Sequence, residues 1–286
     1  MLSDIIDVLA DPADGSRLTL VDEGTRLTSE TGHSYDVARQ GYVTLLSGAG
    51  SKHQGDSAEM VSARETFLAA GHFAPFVEAV SSAALDAIEE AGIADDATAT
   101  VLEVGAGTGY YLSHTLDTLG HARGVGLDLS TAAAKHLAKA HPRIGSVVAD
   151  VWQGIPLQDH SMDLISVVFA PRNPHEFARL LTEKGQVVVL TPAPGHLDEL
   201  REPLGILKVE DNKLERMIDQ ASGLLQLVDA PQAIEFAMDL DRAAIAAQVG
   251  MSPSARHVVD LAERVAQLPE EMTVTARANL TRLCRC

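Results

Sequence analysis

Glu103, Gly105, Gly107, Gly109 and Asp128 are the residues whose types and spacing bear on chemistry. The stretch Val101-Leu102-Glu103-Val104-Gly105-Ala106-Gly107-Thr108-Gly109-Tyr110-Tyr111 reads as a buried strand that enters a glycine turn and then a helix. Glycines at alternate positions let the backbone approach a ligand that any Cβ would hold off, and the helix start offers unpaired N–H groups. A second short apolar strand, Gly124-Val125-Gly126-Leu127, ends on Asp128. That places an acid about twenty residues beyond the loop, where a carboxylate accepts both hydroxyls of a ribose. The chemistry implied is the binding of a nucleoside-containing cofactor. A glycine triplet alone also serves ordinary tight turns, and here the third glycine falls one residue early for the dinucleotide pattern G-x-G-x-x-G.

The elements that must position these residues follow from periodicity. Thr100 to Val104, Gly124 to Asp128, Ser146 to Ala149, Met162 to Phe169 and Gln186 to Leu190 are apolar strand candidates. The segments between them, notably Ala132 to Ala140 and His175 to Leu181, are helical, and this alternation predicts a parallel sheet with helices on both faces. Residues 1–46 read as short strands and turns, with Asp11-Pro12-Ala13-Asp14-Gly15 and Asp22-Glu23-Gly24 as turn signals. Gly48 to Gln54 is small and polar and reads as a flexible connection, so the chain divides into a head, 1–50, and a catalytic domain with a C-terminal extension, 51–286. Asp56 or Ser57 can cap a first helix and Pro75 starts a second. A tail from about 211 adds helices around Leu214 to Leu225 and Arg242 to Val249, with strand candidates at Ala233 to Met238 and Val274 to Leu283.

Bulk properties narrow the class. With 286 residues, 46% of them hydrophobic, the chain can bury a large core. Its apolar runs are strand-sized and its start has neither a basic region nor a long apolar one, so no membrane span and a cytoplasmic location are expected. Cys284 and Cys286 stand within the last three residues, where a disulfide across the fold is excluded and incidental thiols are expected. A net charge of −18 means that any grip on nucleic acid needs a local positive patch on an acidic whole.

The order acid, G-x-G-x-G, acid resembles the S-adenosylmethionine-dependent methyltransferases of the Rossmann-like class. Read with its flanks, the chain resembles a narrower family. Gly41-Tyr42-Val43-Thr44-Leu45-Leu46, Gly55-Asp56-Ser57-Ala58-Glu59-Met60 with Arg64, Phe67-Leu68 and Gly71, the loop ending Tyr110-Tyr111, Gly126-Leu127-Asp128-Leu129-Ser130, Phe169-Ala170-Pro171 and Thr191-Pro192-Ala193-Pro194-Gly195-His196-Leu197 are similar to the bacterial 23S rRNA (guanine-N1)-methyltransferases. The resemblance covers nearly the whole chain. It implies an α/β, Rossmann-like class I methyltransferase fold with a mixed, mostly parallel seven-stranded sheet, closed by the two late strands as an antiparallel pair, behind a small N-terminal β-rich head. It also implies S-adenosylmethionine as cofactor and ribosomal RNA as partner, and is compatible with a homodimer.

Site roles carry over residue by residue. Gly105, Gly107 and Gly109, with backbone groups of Ala106 and Thr108, would lie under the methionine and ribose. Glu103 would orient the loop and the methionine ammonium, Asp128 with Leu129 would hold the ribose end, and Asp150 would accept from the adenine amino group. His196 matches a position near the cofactor, and Phe73 aligns with a tyrosine of the same pocket. The head departs from the family. Where relatives carry three cysteines and a histidine for a zinc ion, the aligned positions are Asp11, Asp14, Ser29 and His33. Such a set is poor in soft donors, so no structural zinc is expected. Guanine N1 carries a proton that a base or solvent must remove, for which Asp56, His175 and His196 qualify by type and none is singled out. Arg39, Lys52, Arg64 and Arg172 are the cations expected near the pocket mouth, with Arg172 and Asn173 departing from the family's polar pair. Two alternatives stay open: a small-molecule methyltransferase that has lost the RNA-gripping head, and a non-catalytic cofactor-binding or ribosome-associated protein, which the intact glycines and acids disfavour.

Overall fold

The computed structural model describes residues 1–48, 50–93, 97–208 and 212–286. Ala49, within the expected connection, and residue 211, the expected start of the tail, lie outside them. The head opens with α1 (Leu2–Ile5) and carries an antiparallel sheet of β1 (Leu18–Val21), β2 (Arg26–Ser29) and β3 (Ser34–Asp36). Next come β4 (Tyr42–Thr44) and two helices, α2 (Ala58–Ala69) and α3 (Ala74–Ala91). Ser57, not Asp56, caps α2, accepting from the Met60 N–H, and Pro75 sits in the first turn of α3, where a missing N–H costs nothing.

Strand and helix then alternate as the periodicity predicts: β5 (Ala99–Val104), α4 (Tyr110–Thr118), β6 (Ala122–Asp128), α5 (Thr131–Ala140), β7 (Ile144–Val148), β8 (Met162–Val168), α6 (Pro174–Leu180) and β9 (Leu181–Pro192). The remainder holds α7 (Arg201–Leu204), α8 (Lys213–Ala221), β10 (Leu225–Leu227), β11 (Gln232–Asp241), α9 (Arg242–Gly250), α10 (Leu261–Ala266) and β12 (Glu271–Arg285). The principal sheet runs β10-β12-β9-β8-β5-β6-β7-β4, with β11 on the outer part of β12. Pairs among β4 to β9 are parallel, and β10, β11 and β9 each pair antiparallel with β12. The chain therefore has the expected class I methyltransferase fold.

The sheet has nine strands among the described residues, two more than the seven expected. One addition is β10, beyond β12; the other is β4, which leaves the head to pair parallel with β7, Tyr42 opposite Ser146. Val43 is fully buried there. Alternation along β5 divides the core, Ala99 and Val101 facing the α3 and α4 layer while Leu102 and Val104 face the other side. That second layer includes Ile5, Leu9, Leu18 and Leu27 of the head. Head and sheet thus share one continuous core, and Ile5 fits so closely over Gly145 that a Cβ there would lie 2.2 Å from Ile5 Cδ1.

Candidate functional site

At the carboxyl end of the parallel strands a cleft of about 300 Å³ opens between the glycine loop, the ends of β6 and β8, and the segment that leads into α2. Gly105, Gly107 and Gly109 all have positive φ, at 68°, 56° and 83°. Replacing either outer glycine would drive a Cβ into a neighbour, 2.5 Å from Ala170 Cβ at Gly105 and 2.8 Å from Ala140 Cβ at Gly109. The loop is fixed to the end of β6. Gly105 and Ala106 donate to the Leu127 carbonyl, and Gly107 donates to Asp128 Oδ2 at 2.8 Å. Asp128 Oδ1 accepts from the Ser130 N–H at 2.8 Å, and the Ser130 hydroxyl caps α5. Burial pushes the Asp128 carboxyl up, against these two hydrogen bonds. Each oxygen has a lone pair left to face the cleft.

Behind the loop a recess of about 40 Å³ is lined by Glu103, Ala106, Thr108, Tyr111, Phe73 and Arg64 among others. Among the described residues, three buried polar atoms there lack a hydrogen-bond partner: Glu103 Oε2, Tyr111 Oη and Arg64 Nε. Burial pushes the Glu103 carboxyl up to about 8, so at neutral pH it is mostly protonated. Buried polar groups left unpaired cost roughly 1–3 kcal/mol each. A ligand bearing both an ammonium and a carboxylate would satisfy the acid and the guanidinium together. Arg64 is therefore not the mouth-facing cation expected from sequence: its Nη2 is held inward by Asp56 at 2.7 Å and by the Met251 carbonyl at 2.9 Å. Tyr111 and Arg64 escaped the sequence reading as cofactor candidates because nothing local marks a helical tyrosine or arginine as facing a ligand.

The connection from head to α2 roofs the cleft. Asp150, at the end of β7, takes the Ser51 hydroxyl (2.6 Å) and His53 Nδ1 (3.1 Å) on one oxygen and the Trp152 N–H (3.0 Å) on the other. Burial pushes this carboxyl up, but the Ser51, Trp152 and His53 hydrogen bonds outweigh it and hold it below its ordinary value. Further along, the Asp56 carbonyl accepts from the Ser130 hydroxyl, and Arg256 donates to the Gln54 and Gly55 carbonyls. At Gly55 the approach is so close that a Cβ would lie 2.7 Å from the Ser130 nitrogen. Trp152, 51% exposed, leans on the His53 ring at the rim.

On the β8 side, Phe169 has φ 53°, a left-handed conformation that costs a non-glycine residue about 1–3 kcal/mol and concentrates at functional sites. Its ring meets Phe73, Phe76 and His196 at 5.6–6.1 Å. His196 lies behind this aromatic layer and lines neither the cleft nor the recess. Burial lowers its imidazole to about 4, and Nδ1 accepts the Arg277 N–H at 3.0 Å. The lone pair of the neutral ring is thereby used, which removes His196 as a proton acceptor. His175 is exposed on α6, outside the cleft lining, whereas Asp56 lines the cleft. Gly105, Gly107, Asp128, Leu129 and Asp150 are brought together in that lining. Gly109 instead turns the chain into α4. Arg172 follows β8 half-buried, and desolvation lowers its guanidinium.

In the head, Asp11, Asp14 and His33 place ligand-type atoms within 4.8 Å of one another. These side chains are already engaged with their neighbours. Asp11 accepts from the Tyr35 hydroxyl (2.6 Å) and pairs with His33 Nδ1 (2.8 Å), Asp14 accepts from Thr31 (2.6 Å), and Ser29 Oγ accepts the His33 N–H (2.9 Å). Two carboxylates, a hydroxyl and one imidazole engaged with each other do not suit the thiolate-rich structural zinc of the family.

The chain is similar to known proteins along nearly its whole length. Residues 101–189 match the family model described as a methyltransferase domain. A Micromonospora griseorubida protein described as a 23S rRNA (guanine-N1)-methyltransferase is 40% identical over 294 residues, covering 99% of each chain. A 23S rRNA (guanine(748)-N1)-methyltransferase of Streptomyces fradiae is 40% identical over 261 residues, covering 91% of this chain and 90% of that one. Among solved structures, a SAM-dependent methyltransferase from Thiobacillus denitrificans in complex with S-adenosyl-L-homocysteine is similar at 13% identity and a TM-score of 0.43, covering 73% of this chain and 91% of that one. The chain belongs to the 23S rRNA (guanine-N1)-methyltransferase family and is an S-adenosylmethionine-dependent methyltransferase.

Proposed function

We propose that this enzyme methylates N1 of a guanine in 23S rRNA and works in the cytoplasm, where that RNA is found. The observation that carries the reading is 40% identity along essentially the whole length of relatives named for that reaction. The recess with its three unpaired buried atoms supports the cofactor side of it. A bound sulfonium cofactor supplies an already activated methyl group, so alignment of the acceptor accounts for much of the rate.

In this reading Asp128 accepts the ribose hydroxyls, Leu129 and Trp152 flank the adenine, and Asp150, steadied by Ser51 and His53, accepts the adenine amino group. Glu103 meets the methionine ammonium and Arg64 the carboxylate, with Phe73 packed beneath. Gly105, Ala106, Gly107 and Thr108 supply the backbone of the cradle. The N1 proton passes to solvent or to Asp56, the one of the three base candidates that lines the cleft. The head, residues 1–50, joins the catalytic domain to hold the RNA.

The direct test is mass mapping of 23S rRNA from a deletion strain, and from the same strain carrying the wild-type chain. A guanine N1 methyl lost on deletion and restored on complementation is expected. Unaltered rRNA methylation, with transfer to a small molecule by the purified enzyme, would replace the RNA reading by the small-molecule one.

A further inference from the structure

A groove of about 660 Å³ runs outside the cofactor cleft, between α4, α5 and α2, and reaches the head at Gln40. Its α5 wall presents Lys135, His136 and Lys139, with the two lysines one turn apart on the same face. Its α4 wall presents Tyr110 and His114, likewise one turn apart, with ring centroids 4.8 Å apart and nearly perpendicular. In a chain with 40 acidic residues against 22 Lys and Arg, this groove is lined by one carboxylate among the described residues, Glu65. That carboxylate is engaged, 3.3 Å from His136 Nδ1. Lys135 and Lys139 are exposed and make no ion pair among the described residues. Two free ammonium groups facing an aromatic pair, in an open trough, match an extended polyanion with π-faces better than a compact metabolite.

We propose that this groove binds the sugar-phosphate backbone of RNA, with Lys135 and Lys139 on phosphates and the Tyr110–His114 pair against a base or ribose. It rests on the RNA reading of the function, and it resolves how a chain of net charge −18 can hold a polyanion: the positive potential is local. The groove includes Thr108 and Gly109 of the glycine loop, so RNA lying in it would run beside the cofactor cradle and on to the head.

The test measures the affinity of the full-length protein for a 23S rRNA hairpin and for a random RNA of equal length, across a salt series, in wild type and in the Lys135→Gln, Lys139→Gln double variant. Calorimetric binding of S-adenosyl-L-homocysteine monitors the fold, and Lys184→Gln, a distant surface lysine, serves as control. Loss of two phosphate contacts should lower the slope of log affinity against log salt by about 1.4–1.8 for both RNAs, with roughly a tenfold weaker affinity at low salt. Tyr110→Ala should weaken both RNAs without changing the slope. An unchanged slope in the double variant, or a wild type that binds neither RNA in a salt-dependent way, overturns the groove. Equal wild-type affinity for hairpin and random RNA, with the slope still falling in the double variant, keeps the groove and overturns the substrate reading instead.

Discussion

Gly107 donates its backbone N–H to Asp128 at 2.8 Å, so the middle of the glycine loop and the acid that ends the next strand form one unit across 21 residues. Asp128 thereby has two tasks, holding the loop and facing the cleft. Replacing it with alanine removes both. We expect Asp128→Ala to weaken S-adenosyl-L-homocysteine binding by about 1.5–3 kcal/mol, roughly ten- to a hundredfold, by calorimetry. An unchanged dissociation constant would remove the acid from the cofactor site.

Glu103 makes a prediction about pH. Its carboxyl is raised from an ordinary 4.5 to about 8 by burial, so the folded protein holds this proton where the unfolded chain has released it. The stability it contributes is fully present below about 4.5 and is lost as the pH rises through about 8. Glu103→Gln keeps the shape and removes the titration. The difference in melting temperature, variant minus wild type, should therefore grow between pH 5 and pH 9, while cofactor affinity falls. A difference that stays flat across that window would show the acid to be ordinary.

In the head, Asp11 is nearly inaccessible and holds Tyr35 and His33. Burial also pushes the Tyr35 phenol well up, and its hydrogen bond to the Asp11 carboxylate adds to the shift. Asp11→Ala leaves that hydroxyl without its partner and should cost about 1–3 kcal/mol in denaturant unfolding. A chelator should leave the wild-type melting temperature unchanged, and elemental analysis should find no stoichiometric zinc. One zinc per chain, removed with loss of stability, would refute the reading of this cluster.

The roof of the cleft can be lifted by one methyl group. A Cβ at Gly55 would lie 2.7 Å from the Ser130 nitrogen, which is backbone and cannot yield cheaply. Gly55→Ala should displace the segment that carries Ser51 and His53 toward Asp150, raising the cofactor dissociation constant while the global melting temperature changes little. Ser51→Ala with His53→Ala should do the same by a different route. If neither weakens the cofactor, the connection is only a tether.

What the sequence determined by itself is what depends on neighbours in the chain. The turn at Gly105, Gly107 and Gly109, the acids at Glu103 and Asp128, and the alternation of strands and helices are written in local periodicity and in backbone conformations that few residues can adopt. The tertiary structure decided the rest. Arg64 reads as one more surface cation until α2 turns it toward Met251, 187 residues away. Gly48 to Gln54 reads as a flexible connection until His53 meets Asp150, 97 residues on, and Arg256 meets Gly55, 201 residues back. Tyr42 to Thr44 reads as part of the head until it completes the edge beside β7. The resemblance groups the four degenerate metal positions, and only folding shows that His33 bonds Asp11 while Thr31 bonds Asp14. In each case the partners are distant in sequence, and no propensity or spacing encodes which polar atoms a closing fold will leave facing one another.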